Sequence, residues 1–261
     1  MNRKALFFDI DGTLVSFKTH VIPSSTVEAL QEAHDHGTGV YIATGRPVGF
    51  INNLGQIKHL IDGWLTTNGA YCFIGDKVVC KHVFQKHDVD TVLDYCATHD
   101  VPAIVVGEHH IGAFNMKPEI VEVFGKGLGV GPDLLSPIEQ VLEESVLQIS
   151  PFVSPEQEAE LMPLLESANS GRWTPSFADL TPGGADKGTG LEAMAKALGI
   201  SLADTIAFGD GGNDLALIRK AGIGIAMGNA NQVLLDAADY ITTSVDDDGV
   251  MNGLRHFGVI E

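Results

Sequence analysis

Ala5-Leu6-Phe7-Phe8-Asp9-Ile10-Asp11-Gly12-Thr13 is the segment from which the architecture can be read. Its short apolar run ends in carboxylates, the pattern of a buried parallel strand whose C-terminal end enters a site. In an extended strand residues two apart share a face, so the spacing predicts that Asp9 and Asp11 point into one crevice while Ile10 faces the core. Two close carboxylates repel, and their coexistence needs a shared proton or a cation. The same residues also suit an ordinary strand-to-turn transition, because Asp and Gly favour turns.

Working outward, a helix is predicted from Ser25, with Glu28 completing a capping box, to a stop at Gly37. A strand over Val40–Ala43 leads into Thr44-Gly45-Arg46-Pro47, where Pro47 suits the first turn of a helix. Trp64–Thr67 reads as a third strand, and Tyr71–Phe84, with Gly75-Asp76 in its middle, as a hairpin. From about His87 to Phe177 the texture changes. Helices are expected at His87–His99, Pro118–Lys126 and Pro155–Ser167, alternating with short apolar runs such as Ala103–Val106 and Val146–Ile149. After Gly183-Gly184 the earlier alternation resumes: helix Lys187–Leu198, strand Thr205–Phe208, loop Gly209–Gly212, helix Asn213–Ala221, strand Ile223–Ala226, helix Ala230–Ala237, strand Tyr240–Thr242. This order predicts an α/β protein with a parallel sheet covered on both faces, built from residues 1–83 and 183–261, and an inserted α/β domain at 84–182.

Composition narrows the function classes. In 261 residues, 44% hydrophobic, there are 34 acidic and 16 basic side chains, a formal charge of −18 with no basic stripe. Such a field disfavours nucleic acid and anionic membrane surfaces as partners, and admits a small phosphate only where local cations override it. Cys72, Cys80 and Cys96 are odd in number and lack zinc-ligand spacing, which points to free thiols in a reducing compartment. The apolar run after Arg3-Lys4 is cut by Asp9, short of the ~7–15 residues of a signal-peptide core, and no stretch reaches the ~18 of a membrane span. The expectation is a soluble, cytoplasmic monomer.

A second acidic cluster, Asp210 and Asp214, lies in Gly209-Asp210-Gly211-Gly212-Asn213-Asp214 after another strand-like run. Ligands of open α/β sheets gather at the C-terminal ends of strands, so Asp9, Thr44, Lys187 and Asp210 are predicted to converge. Carboxylate oxygens suit a hard ion such as Mg²⁺. Thr44-Gly45-Arg46 offers a hydroxyl, an open backbone and a guanidinium suited to phosphate. Each piece also has a plain reading: a helix start at Thr44, a solvated Lys187, a glycine-rich turn with Asn213 capping a helix.

Together and in this order, Asp9–Thr13, Thr44–Pro47, Lys187 and Gly209–Asp214 resemble the motifs of the haloacid dehalogenase superfamily of phosphohydrolases, nearest the Cof-type (IIB) branch, and the similarity spans essentially the whole chain. The resemblance implies a Rossmannoid core with an inserted C2-type cap that sets substrate specificity. It implies Asp9 as nucleophile, Asp11 as acid and base, and Mg²⁺ held by Asp9, the Asp11 backbone carbonyl and Asp210, with Asn213 and Asp214 supporting. Phosphate would be bound by Thr44, Gly45, Lys187 and Asn213. Candidate substrate contacts are Arg46 and Asn68 on core loops and Arg172, Trp173 and Asp179 near the return from the cap, whereas His87, His109 and His110 read as surface residues. Asp11, two residues after the nucleophile, favours phosphatase or phosphomutase chemistry over the related transport ATPases, which resemble Thr there. The expected activity is hydrolysis of small phosphomonoesters, sugar phosphates above all. A phosphomannomutase-like phosphotransferase and a non-catalytic sensor of a phosphorylated metabolite are the other readings.

Overall fold

The computed structural model describes residues 4–127 and 129–261, with the side chains of Lys126 and Trp173 outside what is described. Among these residues the strands are, in chain order, β1 (Ala5–Phe8), β2 (Gly39–Ala43), β3 (Ile61–Thr66), β4 (Tyr71–Ile74), β5 (Lys77–Lys81), β6 (Ala103–Val106), β7 (Ile111–Phe114), β8 (Gln148–Pro151), β9 (Ala168–Thr174), β10 (Phe177–Pro182), β11 (Thr205–Gly209), β12 (Ile223–Ala226) and β13 (Tyr240–Ile241). They pack as two units. One comprises Met1–Gly45, Asn53–Cys80 and Asp186–Glu261; the other comprises Arg46–Asn52 and Lys81–Ala185.

The sheet of the first unit runs β13-β12-β11-β1-β2-β3-β4-β5, parallel from β13 to β3 and antiparallel between β3 and β4. Every residue of β1, β2 and β11 is buried, the consequence of uninterrupted apolar runs covered on both faces. The strand period sorts them. Phe7, Tyr41 and Ala207 pack with Leu191 and Met194 of helix Lys187–Leu198 and with Leu217 of helix Leu215–Lys220. One residue along, Phe8 stacks on Phe208 at 4.9 Å. Burial of each such side chain stabilises by roughly 1.5–3 kcal/mol. The chain moves from β1 to β2 on one side and joins β11 on the other, so the strand order reverses beside β1, the place where open α/β sheets bind ligands at the C-terminal ends of their strands.

The sheet of the second unit runs β7-β6-β8-β10-β9 with antiparallel pairing. Val105, Ile149 and Leu180 pack against Val92 and Cys96 of helix Lys86–Thr98 and Leu161 of helix Pro155–Leu161. A capping box between Ser154 and Gln157 starts the latter helix. Arg46–Asn52, which the sequence did not assign to the insert, is joined to this unit by a Phe50–Phe124 ring contact at 5.6 Å and an Asn52 Nδ2 bond to the Gly129 carbonyl at 3.0 Å.

Several local expectations are corrected. The first helix is Ser24–Asp35, with Pro23 in the cap position and no side-chain cap, so Ser25 sits inside the first turn and its buried hydroxyl has no partner among the described residues. The predicted Ser25–Glu28 box is therefore not made. Pro163 falls in a 3₁₀ turn, Met162–Leu164, that ends the helix expected to reach Ser167. Of the helix expected over Pro118–Lys126, only Pro118–Ile120 is α, and a π-helical stretch Val121–Gly127 follows. Strands β7, β9 and β10 and the helix Gly249–His256 were not anticipated. Cys72, Cys80 and Cys96 form no disulfide among the described residues. Among the described residues no helix is long and apolar enough to cross a membrane.

Candidate active site

β1 ends at Phe8, so Asp9 and Asp11 do not lie along a strand as the period-two reading supposed. They flank Ile10 in a tight turn, in which the Ile10 carbonyl accepts from the Leu14 amide at 3.0 Å and the Val15 amide at 2.7 Å. Gly12 carries φ +92°, and a Cβ there would lie 2.2 Å from Asp210 Oδ2, so only glycine lets the turn approach the second acidic loop. Thr13 Oγ1 donates to Asp210 Oδ1 at 2.9 Å, and Asn229 Nδ2 donates to the Gly12 carbonyl at 2.8 Å. Thr13 closes the motif read from the sequence but was given no role there, and Asn229 was missed. Asn229 had a usable signal, since it falls just beyond β12, at the same end of the sheet as the other loops.

Lys187 opens the helix Lys187–Leu198, where a cation opposes the helix dipole. The structure supplies the compensation. Lys187 is fully buried, and its Nζ donates to Asp9 Oδ1 at 2.7 Å and to Asp214 Oδ1 at 2.5 Å. Burial alone would depress its pKa, but Asp214 and Asp9 outweigh burial and hold the lysine above its usual value. Asp214 Oδ2 accepts the Asp210 amide at 3.0 Å and the Gly211 amide at 2.9 Å, which leaves this buried carboxylate engaged on both oxygens. Thr44, just past β2, is buried and donates its amide to the Leu65 carbonyl at 2.8 Å. Asn213 Nδ2 donates to Asn68 Oδ1 at 3.0 Å. The loops after β1, β2, β3 and β11 and the start of one helix thus meet at one end of one sheet.

The remaining expected contacts lie in the second unit. Arg46 is buried and donates to the Phe50 carbonyl at 3.0 Å. Arg172 donates to Glu158 Oε2 through Nε at 2.9 Å and Nη2 at 2.7 Å, and to the carbonyls of Val153 and Pro175 at 2.9 and 3.0 Å. These bonds brace the unit's own elements. Buried Asp179 accepts from Ser150 Oγ at 2.6 Å and Gln148 Nε2 at 3.1 Å. The Trp173 side chain lies outside the described residues. His87 and His109 are exposed, and partly exposed His110 pairs with Glu144.

The donor set fits a hard divalent cation. Carboxylate oxygens of Asp9, Asp210 and Asp214 lie within 4.8 Å of one another. Among the described residues the hydrogen bonds to Asp9 and Asp210 fall on their Oδ1 atoms, leaving both Oδ2 atoms as oxygen donors. Burial first, opposed by Lys187 and reinforced by Asp214 and Asp11, pushes Asp9 up to about 7. Burial followed by Asp9 and Asp214 pushes Asp210 up to about 8. The sign of the resulting pH dependence is fixed. Carboxyls raised from 3.8 keep protons that the unfolded chain loses, so the metal-free fold loses stability as pH rises from about 4 to about 8. A cation that replaces those protons is expected to raise Tm more at pH 8 than at pH 5.5, and differential scanning calorimetry with and without Mg²⁺ at both pH values measures it. Equal shifts at the two pH values would contradict the linkage.

The comparisons with known proteins agree with this geometry. A family model described as haloacid dehalogenase-like hydrolase matches residues 6–254. The 5-amino-6-(5-phospho-D-ribitylamino)uracil phosphatase YcsE of Bacillus subtilis is 28% identical, over 97% of this chain and 95% of its own. Among solved structures, the HAD subclass IIB sugar phosphatase BT4131 is 44% identical with TM-score 0.93, covering 98% of this chain and all of that one. The phosphatase BT1666 from Bacteroides thetaiotaomicron is 34% identical with TM-score 0.88, over 99% and 96%. With an α/β fold of this topology and acidic loops clustered around a buried lysine, the chain belongs to the haloacid dehalogenase-like hydrolase family and is a hydrolase of its phosphatase kind.

Proposed function

We propose that the protein is a Mg²⁺-dependent phosphomonoesterase that hydrolyses small sugar phosphates through an aspartyl phosphate on Asp9. The observation that carries this reading is the Lys187 ammonium held between Asp9 at 2.7 Å and Asp214 at 2.5 Å, next to Asp210. Phosphoryl transfer is mostly positioning and charge stabilisation, and a fixed cation against an anionic nucleophile lets an anionic ester approach. The 44% identity to a sugar phosphatase supports the substrate class.

In the first half-reaction an Asp9 oxygen bonds to phosphorus as the bond from phosphorus to the leaving oxygen breaks, and protonated Asp11 gives its proton to that oxygen. In the second, Asp11 takes a proton from water as the water oxygen attacks phosphorus, which releases phosphate and restores the Asp9 carboxylate. Thr44, the Gly45 backbone, Asn213 and Lys187 bind the phosphoryl oxygens. Asp9, the Asp11 carbonyl and Asp210 would hold Mg²⁺, which when bound neutralises charge on the transferring group. Asp214, engaged on both oxygens, fixes Lys187 and the Asp210 loop instead. The second unit is assigned selection of the leaving group, with Asp179 and Arg46 as its candidate residues.

The test is phosphate release over a panel of hexose and pentose phosphates, a phosphoribitylamino pyrimidine and phosphorylated alcohols, in Mg²⁺ and in EDTA. The expected result is turnover of sugar phosphates that EDTA abolishes and added Mg²⁺ restores. Turnover that survives verified metal removal, or ligand-induced stabilisation with no phosphate released from any ester, would reject the reading; an isomeric sugar phosphate as product would replace it with a mutase.

A further inference from the structure

Thr67-Asn68-Gly69, the loop after β3, has three consecutive residues at positive φ, +49°, +49° and +92°. For β-branched Thr67 this is an outlier, and its hydroxyl is buried with no partner among the described residues. Such strain persists only where surrounding contacts over-determine it. Here the contacts lead to the phosphate-binding pieces of the first unit. The Asn68 amide donates to the Thr44 carbonyl at 3.1 Å, and its side-chain Oδ1 accepts from Asn213 Nδ2 at 3.0 Å. A Cβ on Gly45 would lie 3.0 Å from the Asn68 carboxamide, so that group lies close against the Gly45 backbone. A Cβ on Gly69 would lie 2.1 Å from the carbonyl of Asp186, the residue that caps the helix opened by Lys187.

We infer that Asn68 is a positioning residue: held in the left-handed region, it ties Thr44-Gly45 after β2 to Asn213 after β11, fixing the spacing of two groups that bind the transferring phosphoryl. The inference rests on the proposed assignment of Thr44, Gly45 and Asn213 to phosphate, and it replaces the expectation that Asn68 touches substrate. Asn suits the position because it tolerates left-handed backbone and carries a carboxamide to reach Asn213. Its strand-end neighbours explain why the tie is short. Thr44 directly follows β2 and Asn68 lies two residues past the end of adjacent, parallel β3, and their backbones are bonded.

A double-mutant cycle tests it. Asn68→Ala and Asn213→Ala are each expected to lower kcat/KM by about 10–100-fold and to weaken inhibition by inorganic phosphate, with the double variant within about 3-fold of Asn213→Ala, because one residue acts through the other. Asn68→Gly keeps the left-handed backbone without the carboxamide and is expected to fold but lose activity like Asn68→Ala. Asn68→Asp, which retains an acceptor for Asn213, is expected to recover most of the loss. Multiplying effects in the double variant, or wild-type activity in Asn68→Gly, would overturn the inference. Asp9→Asn run alongside separates the two claims: an active Asp9→Asn rejects the phosphatase mechanism, whereas an inactive one with an additive cycle rejects only the role of Asn68.

Discussion

Asp9→Asn is expected to lower kcat by at least about 10⁴-fold while the protein stays folded. The amide nearly matches the carboxylate in shape but cannot form the aspartyl phosphate, and no neighbour replaces it. Asp214 is engaged by Lys187 and two backbone amides, and Asp210 is held by Thr13. Stability should not fall. Burial already pushes Asp9 up to about 7, so the fold carries the cost of a buried charge that the amide removes. Phosphate release at saturating substrate, with calorimetry on the same sample, measures both. Activity within tenfold of wild type in pure protein would place the nucleophile elsewhere.

The second large effect is expected at Lys187. Lys187→Met should destabilise the fold by about 3–5 kcal/mol and abolish measurable turnover, because it leaves two buried carboxylates facing each other with no cation between them. Length alone does not decide this. The Lys18–Asp246 pair is nearly as short, 2.8 Å, but Lys18 is 78% exposed and the pair is screened by solvent. Lys187 and Asp214 are 0% exposed. Adding Asp214→Asn to Lys187→Met is expected to recover part of the stability, since the second change removes one of the stranded charges, while activity stays lost. Urea denaturation of the two variants measures the difference. A Lys187→Met protein as stable as wild type would reject the stabilising role of the buried cation.

The two variants also separate the functions of neighbouring groups. Asp9 is charged at the expense of the fold, whereas Lys187 is charged to its benefit, and both positions are set by the same 2.7 Å contact. A site of this kind needs its cation built into the scaffold, because the chain as a whole carries a formal charge of −18 and repels the substrate it is proposed to bind.

The α/β alternation, the parallel core and the loops that carry Asp9, Thr44, Lys187 and Asp210 were legible along the chain, because buried parallel strands write themselves as continuous apolar runs and strand ends as acid- and glycine-rich turns. It could not give the Asp9–Asp11 geometry. The period-two reading assumed a strand, and the amides of Leu14 and Val15 instead close a turn on Ile10. Lys187 read from sequence as a cation poorly placed at a helix start, and its two carboxylate partners, 178 and 27 residues away, make it the centre of the cluster. Asn68 read as a substrate contact, and nothing near it in the chain pointed to the hydrogen bond it accepts from Asn213, 145 residues away. Local pattern is written residue by residue, so it can be read in one dimension; which side chain neutralises or holds another depends on strand order and loop closure, which exist only once the chain has folded.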